Sequence, residues 1–261
     1  MLSALRLNRS LIYELTKREF SGRYRGSFGG VIWSFAQPIF LLCVYTIAFG
    51  LILKTRWGYS GSTSDYAFIL FAGLIVFNLF SECLAKSVHL ITANPNFVKK
   101  IVFPLELLPL ISTLGAVMHS VIAILIWIAG YTIVYGMPHA SVLLVPLVLA
   151  CFFPVLLGIG WLLSAAAVIV RDIGQLTGMI SHTLLFLTPI FYNVETAPPL
   201  LQSLLSANPL TFVVNQFRAV LFYGSLPDFL GMALYFAGAS IFAWLSSLAF
   251  AKLRPVFADL V

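Results

Sequence analysis

Long apolar runs separated by short polar breaks set the pattern of this chain. The runs lie near 31–53, 66–90, 105–135, 142–170, 173–191 and 229–251. Each approaches or exceeds the roughly 20 residues that carry a helix across the hydrocarbon core. The pattern therefore predicts an all-α integral membrane protein with six transmembrane helices. The third run is long enough to be tilted or broken, and Gly136-Met137-Pro138 turns it back. Ahead of the first run, Leu5, Leu7, Leu11, Ile12 and Leu15 share one side of a helical wheel, with Arg6, Arg9, Tyr13 and Lys17 opposite. That arrangement predicts an N-terminal amphipathic interface helix, lying in the headgroup plane or docked on the protein's own spans. The first apolar run is long enough to span and has no small-residue cleavage site after it, so it does not read as a secretory signal.

Three polar breaks carry more than a turn. In 82–109, Asn94-Pro95 ends the preceding helix, and apolar Phe97, Val98, Ile101, Val102 and Phe103 surround Lys99-Lys100 before Pro104 and Pro109. This predicts a short amphipathic helix over 96–103 at the membrane surface, although an ordinary basic loop has the same composition. In 18–38, Gly22, Gly26 and Gly30 recur at helical spacing among Arg18, Arg23 and Arg25. Small residues four apart allow close helix approach; Gly26, Gly29 and Gly30 would equally mark the bend where an in-plane helix turns up into the first span. The segment 192–228 stays apolar outside the spans, with one amphipathic piece after Pro198-Pro199 and another after Asn208-Pro209. Two short helices after prolines suggest outer re-entrant helices between spans five and six. A seventh span over 210–223 would be short and would carry Arg218.

Composition agrees with the pattern. Hydrophobic residues make 61% of the chain and charged ones 9%, against about a quarter charged in soluble domains. The 261 residues leave no room for a separate soluble domain: 1–30 form a cytoplasmic interfacial segment, 31–251 the bundle and 252–261 a cytoplasmic tail. With the N-terminus inside, twelve of the fifteen Lys and Arg fall on inner segments, leaving Lys54, Arg56 and Arg218 outside. The positive-inside bias thus places both termini in the cytoplasm. It also accounts for the +6 charge without nucleic acid. Cys43, Cys83 and Cys151 are scattered through apolar runs with no metal-ligand spacing, so no metal site is expected.

Ionisable groups inside the spans are few. Glu82, Lys86 and His89 fall on one face at i, i+4 and i+7 near the inner end of span two, where pairing near the interface reduces the cost of burial. His119 and His182 lie deeper, as packing residues or a proton relay, and Arg171-Asp172 forms a snorkelling inner-edge pair or a contact for a cytoplasmic partner. Arg23 and Arg25 join these inner-edge charges. No G-x-x-x-x-G-K-[ST] occurs, so the chain carries no ATPase site. The absence of internal repeats and paired mid-span carboxylates argues against a secondary transporter, and nine scattered acids argue against a membrane enzyme.

Four stretches, REFSGRYRGSFGGVIWSFAQP, NPNFVKKIVFPLELLP, RDIGQLTGMISHTLLFLTPIFY and NPLTFVVNQFRAVLFYG, resemble in order and spacing the transmembrane permease subunits of ABC-type polysaccharide exporters. That family exports O-antigen, teichoic acid and some capsule chains, and the O-antigen exporters are the nearest match. The resemblance implies a homodimer in the bacterial inner membrane, two copies of a P-loop ATPase subunit holding ATP and Mg, and a lipid-linked polysaccharide substrate. Asn94, Pro95, Asn96, Phe97, Val98, Lys99, Lys100 and Phe103 match its ATPase-coupling helix, and 192–223 its outer gate. A sliding glycan needs aromatic surfaces more than fixed charges. Trp33, Phe40 and Tyr45 in span one, Phe186 and Phe191 in span five, and Tyr192 and Phe222 near the gate are the candidates to line the route, unless they face lipid.

Overall fold

In a computed structural model of the chain, the described residues are 9–22, 32–48, 63–99, 103–170, 172–196 and 198–260. Among them all regular structure is helical. Arg23, Arg25, Lys54, Arg56, Lys100, Ile101, Val102, Arg171 and the proposed bend at Gly26, Gly29 and Gly30 lie outside them.

The N-terminal helix α1 covers Arg9–Gly22, followed by α2 over Ile32–Tyr45, α3 over Thr63–Ser87 and the short α4 over Pro95–Lys99. Two long helices follow, α5 over Leu107–Tyr135 and α6 over Val145–Ile169. Then come α7 over Ile173–Leu187, α8 over Pro199–Ala207, α9 over Pro209–Leu221, α10 over Phe229–Leu253 and the tail helix α11 over Phe257–Leu260. Among the described residues, four stretches are long and apolar enough by themselves to cross a membrane: Ser64–Ser87, Leu107–Tyr135, Ala140–Ile169 and Phe229–Val256. Ile32–Ala48 and Ile173–Leu187 are shorter apolar helices.

The core is built around α3. From Tyr66 to Phe80 only Asn78 is exposed, because α2, α5, α6, α7 and α9 all pack against this helix. Phe71, Phe77, Phe152, Trp127 and Phe217 anchor one large apolar cluster along it. A second cluster, with Phe103, Leu107, Trp161, Phe250 and Phe257, closes the opposite end of the molecule. There α6 and α10 approach closely at Gly158, where a Cβ would meet the Phe242 ring at 2.5 Å. Elsewhere α10 exposes Leu230, Leu234, Ile241, Trp244 and Leu248, an apolar surface suited to lipid.

The helices run end to end. Tyr66, at the start of α3, donates to the Phe191 carbonyl at 2.6 Å, while Gly174 at the start of α7 lies beside His89, just past the end of α3. The segment from α7 to Phe191 therefore covers the length of α3. Likewise α2 meets the cavity beside Glu82 with Gln37 and approaches Gly130 with Leu42.

The interface helix has the expected faces over its described part. Leu11, Ile12 and Leu15 turn inward and Thr16 is buried, with Arg9, Tyr13 and Lys17 exposed. It lies against α5. The expected face of Glu82, Lys86 and His89 is corrected by where α3 ends: the helix stops at Ser87, so exposed His89 leaves that face. Arg218, expected among outer loop charges, is 3% exposed.

Candidate functional site

Asn94 builds the segment expected to couple to an ATPase. Its side-chain Nδ2 donates to the Leu90 carbonyl at 2.8 Å, and its own carbonyl accepts the Phe97 amide at 3.1 Å. Pro95 then starts α4 with its missing N–H at no cost. Of the expected helix over 96–103, α4 covers the part up to Lys99; 100–102 lie outside the described residues, and Phe103 beyond them is in an irregular stretch. Phe97 and Phe103 rings stack at 4.6 Å, and Phe103 is buried. Pro95, Asn96 and Lys99 point outward; Phe97 and Val98 are half-buried. These two share a groove of about 460 Å³ with Leu105 before α5, Ala251 at the end of α10, and Arg254 and Ala258 of the tail. Arg254 bonds Glu106 at 2.7 Å across that groove's rim, and the Glu106 carbonyl accepts Trp161 Nε1 at 3.0 Å.

The charges expected at the inner edge form a chain across three helices. Lys86 Nζ lies 2.9 Å from Glu19 of α1 and 3.1 Å from Glu82 of α3. His119 Nδ1, from α5, is 2.9 Å from the same Glu82 oxygen. Phe20 packs on His119 with ring centroids 5.0 Å apart. Thus α1 is fastened to the bundle by a charge and a ring in successive residues. The sequence pairs Glu82 with Lys86 by spacing; Glu19 and His119 come from 67 and 37 positions away. Asp172, exposed, stands apart from this group, and His182 is exposed on α7.

At the opposite end, two short helices follow prolines as expected. Asn208 joins them: Oδ1 accepts the Leu210 amide at 3.0 Å, capping α9, and Nδ2 reaches the Leu187 carbonyl at 3.2 Å. With 13 residues, α9 is about 20 Å long, too short for a seventh span. Its Arg218 is the residue that reading by sequence misplaced. Nε donates to Ile69 O at 3.0 Å, Nη1 to Pro189 O at 2.7 Å and Nη2 to Ile190 O at 2.9 Å. One guanidinium thereby joins α9, α3 and the break after α7. A single Arg inside the apolar face of 209–221 was the available signal.

The aromatic candidates divide into two groups. Trp33, Phe40 and Phe186 are exposed. Tyr45, Phe191 and Phe222 are half-buried against the main cluster. Phe186 and Phe191 rings lie 6.1 Å apart, and Tyr192 Oη donates to the Phe186 carbonyl at 2.7 Å. Phe222 meets Tyr131 and Tyr135 edge-on at 6.1 and 6.2 Å. These seven side chains therefore do not form one cluster; Phe191 and Tyr192 pin the α7 terminus and Phe222 the turn after α9. No group of three metal-ligating side chains occurs among the described residues.

Comparison with known proteins matches residues 10–222 to the family described as ABC-2 type transporter. Over 255 residues the chain is 26% identical to the "O-antigen export system permease protein RfbA" of Myxococcus xanthus, covering 96% of this chain and 95% of the relative. Two proteins of the same name from Klebsiella pneumoniae are each 26% identical over 253 residues, with 96% and 95% coverage.

Proposed function

We propose, from the premise that this chain belongs to the ABC-2 type transporter family, that it is the permease subunit of an ATP-driven exporter of lipid-linked polysaccharide, O-antigen foremost, across the bacterial inner membrane. The observation that carries this reading is the end-to-end similarity to relatives named as O-antigen export permeases. The chain has no P-loop, so a separate ATPase subunit, holding ATP and Mg, supplies the energy. Two permeases and two ATPases make the working unit.

Six crossings with both termini cytoplasmic are supported by the way α2 and α7 run alongside α3, and by the charge count. With Arg218 buried, twelve inner Lys and Arg stand against Lys54 and Arg56. On this topology α4 faces the cytoplasm. Asn94 and Pro95 set its start, Asn96 and Lys99 offer its outer face, and Phe97 and Val98 its apolar edge; Lys100 and Phe103 complete the coupling segment. The hairpin of α8 and α9 re-enters the outer leaflet as a gate, and the seven aromatics line the route or its lid.

The test is reconstitution with a partner P-loop ATPase subunit. The wild-type pair should couple ATP hydrolysis to translocation of a lipid-linked glycan. Phe97→Asp should insert normally yet lose ATPase stimulation at least tenfold, since a charge at a docking edge removes an apolar anchor. Glycan export at wild-type rate by that variant would remove α4 from the coupling role.

A further inference from the structure

A cavity of about 440 Å³ opens between α2, α3 and α5, on the side of the bundle that holds the inner charges. Its volume falls within the range of ligand sites. Space comes from small side chains: Ala85, Ala116 and Ala123 stand where larger residues would fill it. Its walls are unusually polar for this chain. Gln37 comes from α2 and Asn78 from α3, both exposed, and Asn78 is the one exposed residue between Tyr66 and Phe80. Ser81 and Ser120 add hydroxyls, while Phe71 and Leu41 supply apolar surface. On α2, Trp33, Gln37 and Phe40 follow at i, i+4 and i+7, so the amide lies between two exposed aromatics.

A polar wall inside a spanning bundle is costly and marks a ligand path more often than packing. Charge decides the kind of ligand. The titratable residues of the lining are Glu82, Lys86 and His119: Lys86 lies 3.1 Å from Glu82, His119 Nδ1 lies 2.9 Å from the same Glu82 oxygen, and Glu19 of α1 reaches the ammonium at 2.9 Å. The one lysine of the lining is already engaged by two carboxylates, so the cavity offers no open ammonium to a phosphate among the described residues. Amides, hydroxyls and an aromatic face instead suit a neutral polyol, offering donors and acceptors together with an apolar surface for ring C–H groups. Resting on the permease reading above, we propose that this cavity binds a neutral, hydroxyl-rich sugar residue of the exported chain, with Gln37 and Asn78 as its hydrogen-bonding contacts, and that it excludes the phosphate part of the lipid carrier.

The test uses the full-length permease with its ATPase in lipid nanodiscs and a lipid-linked neutral trisaccharide bearing a diazirine on one sugar. Photo-adducts mapped by mass spectrometry should fall on peptides holding Gln37, Asn78 and 116–123. The pair Gln37→Leu with Asn78→Leu should reduce these adducts at least fivefold. Ala123→Leu, which fills the cavity from α5 and leaves both amides in place, should do the same. Millimolar inorganic pyrophosphate should leave labelling unchanged. Adducts confined to the outer faces of α6 and α10, undiminished labelling in both variants, or displacement by pyrophosphate would each overturn the inference. Translocation by the wild-type complex without any cavity adduct sinks this inference alone, whereas a wild-type complex that translocates nothing sinks the exporter reading beneath it.

Discussion

A guanidinium inside an apolar bundle is tolerable only when its N–H groups meet acceptors, and Arg218 meets three backbone carbonyls. Two of these, Pro189 and Ile190, belong to the break after α7, where no helix is available to satisfy them. The third, Ile69, sits one turn before Gly73, and a Cβ on Gly73 would lie 2.7 Å from Arg218 Nη2. The glycine is thus the seat of the guanidinium. Arg218→Met should destabilise the permease by on the order of 2–3 kcal/mol, because two carbonyls lose their donor while interhelical bonds in membranes are individually modest. Gly73→Ala should destabilise the wild type as well, yet have little effect in the Arg218→Met background. Thermal unfolding of the four proteins in detergent measures that coupling, and strictly additive losses would refute the seat. Charge counting missed Arg218 because hydropathy reads a lone Arg near an apolar run as an interfacial charge. The carbonyls that hold it are 28, 29 and 149 positions away, which no local pattern reveals.

Among elements, the described part of α4, Pro95–Lys99, closes barely one turn and draws its support from its neighbours. Asn94 fixes its start, and Phe103 receives the Phe97 ring. The tail then walls its groove: Phe257 is wholly buried and meets Phe250 edge-on at 5.3 Å. If the coupling surface depends on this wall, Phe257→Asp should lower recovery of the ATPase on affinity-tagged permease several-fold. Arg254→Ala should change it little, because the Arg254–Glu106 pair is partly open to solvent and such pairs are worth about 1 kcal/mol or less. Full recovery with Phe257→Asp would separate the tail from docking. The helices themselves were readable because apolar runs and flanking prolines are local signals; α8 and α9 begin at Pro199 and Pro209 as their sequence suggests. The end of α3 at Ser87 was not readable, since the residues after it remain apolar enough to continue a helix. For that reason His89 was assigned to the charged face that His119 occupies.

At the scale of the whole molecule, parity makes the crossing number testable. Four stretches cross by length alone, and four crossings or six would both leave the termini on one side. Labelling the two ends cannot distinguish them. The difference lies in α2 and α7. At about 1.5 Å per residue, the 15 residues of α7 extend about 22 Å, less than a hydrocarbon core of about 30 Å. Yet the chain continues through Thr188 to Phe191, whose carbonyl is held by Tyr66 at the far end of α3. Tyr66 to Ser87 is about 32 Å of helix, so α7 and its broken terminus together cover a membrane's thickness, with Arg218 satisfying the backbone where the helix stops. Irregular backbone at depth is permitted when protein buries it. Single cysteines at Lys17, Ser60, Lys99, Asp172 and Glu195 test this, in a background with Cys43, Cys83 and Cys151 changed to alanine. Alanine suits buried Cys83 because it adds no polar atom. Lys17, Lys99, Asp172 and Glu195 are exposed, so a membrane-impermeant maleimide can reach them. In intact cells Ser60 and Glu195 should label from outside, and Lys17, Lys99 and Asp172 only after permeabilisation. Lys17 and Ser60 on one side would mean that α2 does not cross. Asp172 and Glu195 on one side would mean the same for α7, and would leave the α8–α9 hairpin without access to the outer leaflet where a gate must work.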